Sequence, residues 1–324
     1  MVSRRTWQSQ TYKKGESPNV QINTMGVMEV YRHLLVNEGA RIYQTHQQLH
    51  IDGKDEHVFP IEDLDTVVLS NRNINMSAYS LEKLCENGTT VILCDGHHMP
   101  SAVLMPFGVH SRRLRQIKAQ TSQPRPRIKR LWQQIVRQKI ANQGKCLSYA
   151  GHEDDVSCLV PRVKSGDTGN TEGVAAARYF KNLFGKDFVR SYENGVNAAL
   201  NYGYAIMRSC VARYLAIYGF EPCLGLFHHS ELNAFNLADD LLEPFRPVVD
   251  LYVASNIEVT DELITQNKVA LQQLLSVDMR LSGQKKCVSL AMEDMVQSLM
   301  RCFEGRDSEL QLPELLPLNV HRYE

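Results

Sequence analysis

Apolar and polar positions change rhythm near residue 107. From residue 28 to 107 the apolar residues come in short runs broken by Gly, Asn and Asp, which predicts strands and turns. HLLVN and RIYQT flank Asn37, Glu38 and Gly39, and QQLHI and EHVFPI flank Asp52 to Asp55, so each pair predicts a hairpin. DTVVLSN adds a strand. Asn75 is placed to cap a helix through Ala78, Leu81, Leu84 and Cys85, with Gly88 as its left-handed stop, and TVILCD and SAVLMPF return to strand.

From residue 108 the period is 3.6. SRRLRQIKAQ predicts one helix, and RLWQQIVRQKIANQ, beyond Pro124 and Pro126, predicts another. That second helix sets Arg130, Arg137 and the stem of Lys139 beside a stripe of Leu131, Ile135 and Ile140. Residues 150–170 mix Gly, Asp, Ser and Pro and predict a loop. Helical patterns recur at TEGVAAARYFKNLFG, NGVNAALNYGYAIMRSCVARYLAIYG, AFNLADDLLEPF with PVVDLYVASNI, TDELITQNKVALQQLLSV and KKCVSLAMEDMVQSLMRCF. The first 27 residues are polar and aperiodic and are expected to form a flexible leader. The predicted class is α+β: a small β-sandwich-like domain over 28–107, then a larger all-α domain over 108–324.

The chain has 324 residues, 43% hydrophobic and 22% charged, enough to bury a core without disulfide or metal staples. No apolar run reaches the roughly 18 residues that a membrane span needs, and the start lacks a signal-peptide core. A soluble cytoplasmic chain with no membrane partner is expected. The eight cysteines show neither C-x-x-C nor finger-like spacing and read as reduced thiols. Thirty-six basic and 36 acidic residues balance, yet the 57 residues from Gly96 to His152 hold 11 of the bases and no acid. Arg112, Arg113, Arg115, Lys118, Arg130, Arg137 and Lys139 lie in this tract. Such segregation predicts a phosphate-binding face, with a solvated basic helix as its plain rival.

No G-x-G-x-x-G, G-x-x-x-x-G-K-[ST], G-x-S-x-G or H-E-x-x-H occurs. What remains is a dispersed set of carboxylates and histidines. Thr171 is placed to cap a helix whose first turn holds Glu172, where the helix dipole favours a carboxylate with or without a chemical role. In FHHSELNAFNLADDLLEPFRP, Asp239, Asp240 and Glu243 fall on one side of a helix just after His228 and His229. Imidazole with carboxylate oxygens is a shell for Mg²⁺ or Mn²⁺, whereas an acidic face offset by Arg246 is the structural reading. His97-His98 reads as a polar loop, and His152-Glu153-Asp154-Asp155 as an acidic loop without a rigid base. A divalent ion beside an acid-free basic surface is what phosphodiester chemistry requires.

The motifs NTEGVAAARYF, VNAALNYGYAI and LGLFHHSELNAFNLADDLLEPFRPVVD resemble those of the CRISPR-associated protein 1 family, from about residue 28 to at least 257. The last motif, with LWQQIVRQKIANQ, resembles the type II branch, which accompanies a single large RNA-guided effector nuclease. The resemblance implies a β domain that mediates homodimerisation, an α-helical catalytic domain, and a metal-dependent DNA integrase of spacer acquisition in a prokaryotic cytoplasm. Glu172, His228 and Glu243 match the family's metal-binding positions, and Asp240 a supporting acid. The implied cofactor is Mg²⁺ or Mn²⁺. The implied partners are double-stranded spacer and repeat DNA, CRISPR-associated protein 2 in a heterohexamer, and the effector nuclease. Rival readings are a non-catalytic nucleic-acid-binding scaffold and a structure-selective nuclease of branched DNA.

Overall fold

A computed structural model describes residues 20–22, 32–105, 112–257 and 263–321. The N-terminal strands are β1 (Val20–Ile22), β2 (Arg32–Val36), β3 (Arg41–Thr45), β4 (Gln48–Asp52), β5 (Glu56–Pro60), β6 (Leu64–Leu69), β7 (Asn75–Met76), β8 (Thr90–Cys94) and β9 (Pro100–Leu104), with helix α1 (Ala78–Glu86) before β8. They form two sheets, ordered β1-β2-β6-β8-β9 and β5-β4-β3-β7. Side chains alternate across a strand. Leu34, Val36, Val67, Leu69 and Val91 therefore face Ile42, Leu49 and Ile51 of the other sheet, with Leu84 of α1 in the same core. The intervening Leu35, Val68 and Ile92 face the opposite way and join the core of the helical region. Strand β6 is buried at every position, its polar Asp65 and Thr66 included, as a strand covered on both faces must be.

Three expectations fail here. Strands β2 and β3 are not a hairpin: β2 pairs with β1 and, in parallel, with β6, and the Asn37–Gly39 connection carries the chain to the second sheet. The two strands bury apolar side chains in one core between the sheets. The hairpin predicted between β4 and β5 does form. Ser77, not Asn75, caps α1, accepting from Ser80 N. Strand β1 falls inside the expected leader, the rest of which lies outside the described residues.

The helical region comprises α2 (Arg113–Thr121), α3 (Arg125–Tyr149), α4 (Thr171–Phe184), α5 (Gly195–Ile217), α6 (Asn236–Leu242), α7 (Arg246–Asn256) and α8 (Thr265–Gln273), then β10 (Val277–Leu281), β11 (Gln284–Cys287), α9 (Val288–Phe303) and β12 (Glu314–Val320). The region is thus not all-α. Ser282 and Gly283, both at positive φ, turn β10 back as β11, and β12 pairs on the other side of β10. The 25-residue α3 is the axis, opened by Pro124 and Pro126 and packed against α4, α6, α7 and β12.

A buried ion pair ties the strands to the helices. Asp65 of β6 pairs with Arg213 of α5, whose Nε also donates to Gly88 O at 2.6 Å, and Ser289 Oγ of α9 donates to the other Asp65 oxygen. Among the described residues no helix is long and apolar enough to cross a membrane, and no two cysteines form a disulfide.

Candidate metal centre

Glu172 stands in the first turn of α4. The residue preceding the helix, Asn170, is left-handed (φ 49°), and Asp167 does the capping expected of Thr171: its carboxylate oxygens accept from Thr171 N at 2.9 Å and Glu172 N at 3.0 Å. That geometry aims the Glu172 side chain towards α3. There its Oε1 lies 2.6 Å from the ammonium of Lys139.

Glu243 meets the same ammonium from the other side. Pro244 interrupts the pattern after α6 and tightens residues 243–245 into a 3₁₀ turn, which directs Glu243 inwards, 4% exposed, with Oε2 2.5 Å from Lys139 Nζ. Oε1 accepts from Arg246 Nε at 2.9 Å. Burial alone would push the Glu243 carboxyl up, but Arg246 and Lys139 outweigh it and hold it at about 2. Burial likewise works against the Lys139 ammonium, and Glu243 and Glu172 outweigh it, so the group stays above the ordinary lysine value. Lys139, expected on a DNA-binding surface, is instead buried between two carboxylates.

His228 occupies a neighbouring arm. Asp240, completely buried, accepts from Leu226 N (2.5 Å) and Phe227 N (3.0 Å) on Oδ2, and from His228 N (3.2 Å) and His228 Nδ1 (2.6 Å) on Oδ1. A Cβ at Gly225 would overlap His228 O and crowd the Asp240 carboxylate, so this tight loop requires glycine there. Trp132 of α3 stacks on Phe227 at 4.5 Å and meets the His228 ring edge-on at 6.0 Å. The hydrogen bond to Asp240 pushes the imidazole up from its usual value, against partial burial. With Nδ1 so engaged, Nε2 is the nitrogen left to serve as a ligand.

The expected convergence of acids on one helix side does not occur. Asp240 turns under the His228 loop and Glu243 turns to Lys139, while Asp239 accepts from Asn233 Nδ2 at 2.7 Å and faces Arg208 at 3.8 Å. Among the described residues no three His, Cys, Asp or Glu side chains gather as a ready shell. The donors nevertheless fit a hard divalent cation in kind: two carboxylates and an imidazole, with a cation already between the carboxylates and Glu243 Oε2 sealed from solvent against it.

Behind this centre, Asp250 of α7 accepts from Tyr179 of α4 at 2.8 Å and from Tyr204 of α5. Arg246 stacks 4.6 Å over the Tyr204 ring, so the helix that carries Glu172 and the turn that carries Glu243 share one support. Burial raises Asp250 to about 6, with the two tyrosine hydroxyls opposing. Sequence reasoning missed Asp167, Asp250, Tyr179 and Tyr204. Only the Gly166-Asp167 turn ahead of α4 carried a local signal.

The basic tract is partly offset by acids brought from afar. Arg113 pairs with Glu221 at 3.1 Å, Arg115 with Glu304 at 3.8 Å and Lys145 with Glu314 at 2.9 Å. Arg112, Lys118, Arg130 and Arg137 are exposed, Arg137 also donating to Val163 O at 3.1 Å. His98 bonds Ser70, and Asp154 closes its own turn onto Val156 N and Ser157 N, so neither lesser cluster forms a site.

The family model described as CRISPR associated protein Cas1 matches residues 34–290. The CRISPR-associated endonuclease Cas1 of Neisseria meningitidis serogroup C (strain 8013) is 40% identical over 302 residues, 91% of this chain and 99% of that protein. A solved casposase bound to integration product superposes with TM-score 0.73 at 20% identity, over 88% of this chain and 93% of that one. A chain of a solved Cas6-RT-Cas1–Cas2 complex superposes with TM-score 0.65 at 20% identity, over 89% of this chain and 36% of that one. At such identities these structures speak for the fold.

Proposed function

The chain belongs to the Cas1 family of CRISPR-associated endonucleases, and we propose that it is a metal-dependent DNA integrase that joins the 3′-OH ends of captured spacer DNA to the repeat of a CRISPR array. The observation that carries the reading is that Glu172 and Glu243, distant in sequence, share one cation, while Asp240 holds an imidazole that also feels the Glu243 charge.

A bound divalent ion, Mg²⁺ or Mn²⁺, would supply Lewis acidity at the phosphodiester and ease loss of the attacking hydroxyl's proton. Glu172 and Glu243 offer it carboxylate oxygens and His228 offers Nε2. Asp240 fixes the His228 tautomer, and Arg246 fixes the Glu243 carboxylate by charge and hydrogen bond. Lys118, Arg130 and Arg137 hold flanking phosphates, with Arg112 beside them. The nucleophile comes from the DNA, so no side-chain nucleophile is needed.

The β region mediates homodimerisation, and two dimers hold a dimer of the small Cas2 partner. The likeness to a chain from a Cas6-RT-Cas1–Cas2 complex supports a Cas2 partner. The effector nuclease of a type II system is a further partner.

Strand transfer tests the reading. The purified chain with its small partner, a short duplex and a supercoiled repeat-bearing plasmid joins DNA with Mn²⁺ and not with EDTA. It fails with 3′-dideoxy ends, which a water-using nuclease tolerates. Glu172→Ala, His228→Ala and Glu243→Ala abolish joining, and parental activity in these variants refutes the assignment.

A further inference from the structure

Lys139 holds the place where a bound cation would neutralise the two carboxylates. Its side chain rises from the middle of α3 and is 9% exposed. Glu243 Oε2 is sealed from solvent, and the Lys139 ammonium is what balances it. Arg246 balances the second Glu243 oxygen. Two cations thus face two carboxylates, and the cluster holds no surplus negative charge. Such closure matters in a buried setting, where an uncompensated charge is strongly unfavourable.

A divalent ion entering between Glu172 and Glu243 would meet the ammonium as a like charge at close range, where water screens little. Ion and ammonium compete for the same oxygens. Lysine is suited to yielding, being a point charge on a flexible four-carbon stem. Arg246, stacked over Tyr204, is suited to staying.

We propose that Lys139 is a positioning residue: it holds Glu172 and Glu243 together as an internal counter-ion, leaves them when a divalent cation binds, and thereby sets how tightly that cation is held. This rests on the reading of Glu172 and Glu243 as metal ligands. A structural prop and a competing counter-ion predict opposite signs. Loss of a prop loosens the carboxylates and weakens metal binding, whereas loss of a competitor strengthens it.

The experiment is a Mn²⁺ titration followed by electron paramagnetic resonance on the full-length parent, Lys139→Gln, Lys139→Arg and Glu243→Ala. Lys139→Gln is expected to bind Mn²⁺ about tenfold tighter than the parent, equivalent to about 1.4 kcal/mol. Lys139→Arg, a cation less suited to yielding, is expected to bind Mn²⁺ no more tightly than the parent. Equal or weaker binding by folded Lys139→Gln overturns the inference. Equal binding by parent and Glu243→Ala overturns instead the reading of the site on which it rests. Should Lys139→Gln fail to fold, the parent decides the matter through amine-reactive labelling of Lys139, read by peptide mass spectrometry. Mg²⁺ is expected to speed that labelling, and unchanged or slower labelling refutes displacement.

Discussion

Replacing Asp240 with Asn changes one atom of a completely buried side chain that accepts four hydrogen bonds. The amide has one acceptor oxygen and one NH₂. The less disruptive orientation keeps oxygen towards Leu226 N and Phe227 N, whose two bonds hold the loop, and turns the NH₂ towards His228. Nδ1 can then only accept, so the imidazole proton moves to Nε2. The His228 backbone N–H loses its partner, a loss of about 1–3 kcal/mol for a buried donor. The fold survives this, but the nitrogen offered to a metal no longer has a lone pair. Disturbing such a supporting carboxylate typically lowers metal affinity or activity by about 10–100-fold. ¹⁵N NMR of the ring nitrogens reads the tautomer directly, a urea titration reads stability, and Mn²⁺ affinity with strand transfer reads function. An Asp240→Asn protein that keeps the proton on Nδ1, or binds Mn²⁺ and transfers strands like the parent, refutes the reasoning.

The ion pair between β6 and α5 gives a stability prediction: Arg213→Met strands the buried Asp65 carboxylate and lowers stability by about 3–5 kcal/mol, and Asp65→Asn in the same chain recovers part of it. Urea unfolding checks this, and a loss below about 1 kcal/mol refutes it. Asp250, raised to about 6 from 3.8, favours the folded state most below pH 4 and loses that contribution as pH rises through 6. Between pH 7 and pH 5 the parent therefore gains about 1 kcal/mol relative to Asp250→Asn, and a pH-independent difference in urea midpoints refutes it. On DNA, Lys118→Ala, Arg130→Ala and Arg137→Ala combined flatten the log-log salt dependence by up to about 0.9 per lost contact. An unchanged slope in filter binding returns these residues to solvated surface.

Local pattern was enough for much of the fold. Strand β6 announced itself through the short run DTVVLSN, and α3 through its stripe and its opening prolines. The failures share a cause, which is pairing decided by distant partners. The Asn37–Gly39 turn suits a hairpin, but β2 pairs with the distant β6, and Leu34, Val36 and Ile42 meet in the core between the two sheets. The polar β11 becomes a strand because β10, with β12 on its other side, offers it an edge, and no window of its own sequence records that.

The site was legible by the same rule. Glu172, His228, Asp240 and Glu243 could be nominated from residue type and motif, yet their arrangement could not, because the acids of α6 turn in three directions once the 243–245 turn tightens. The acid-free tract was legible only in part, since three of its bases meet acids in the fold. A run of charge in sequence reveals nothing about which acids fold against it, and Glu221, Glu304 and Glu314 arrive from C-terminal segments to meet Arg113, Arg115 and Lys145. Lys139 carries the argument furthest. It lies next to Ile140 on the stripe side of α3, so the packing that buries the stripe carries its ammonium inwards, and a buried ammonium persists only where carboxylates meet it. The residue that looked most like one more surface cation is therefore the one whose position requires Glu172 and Glu243 to converge.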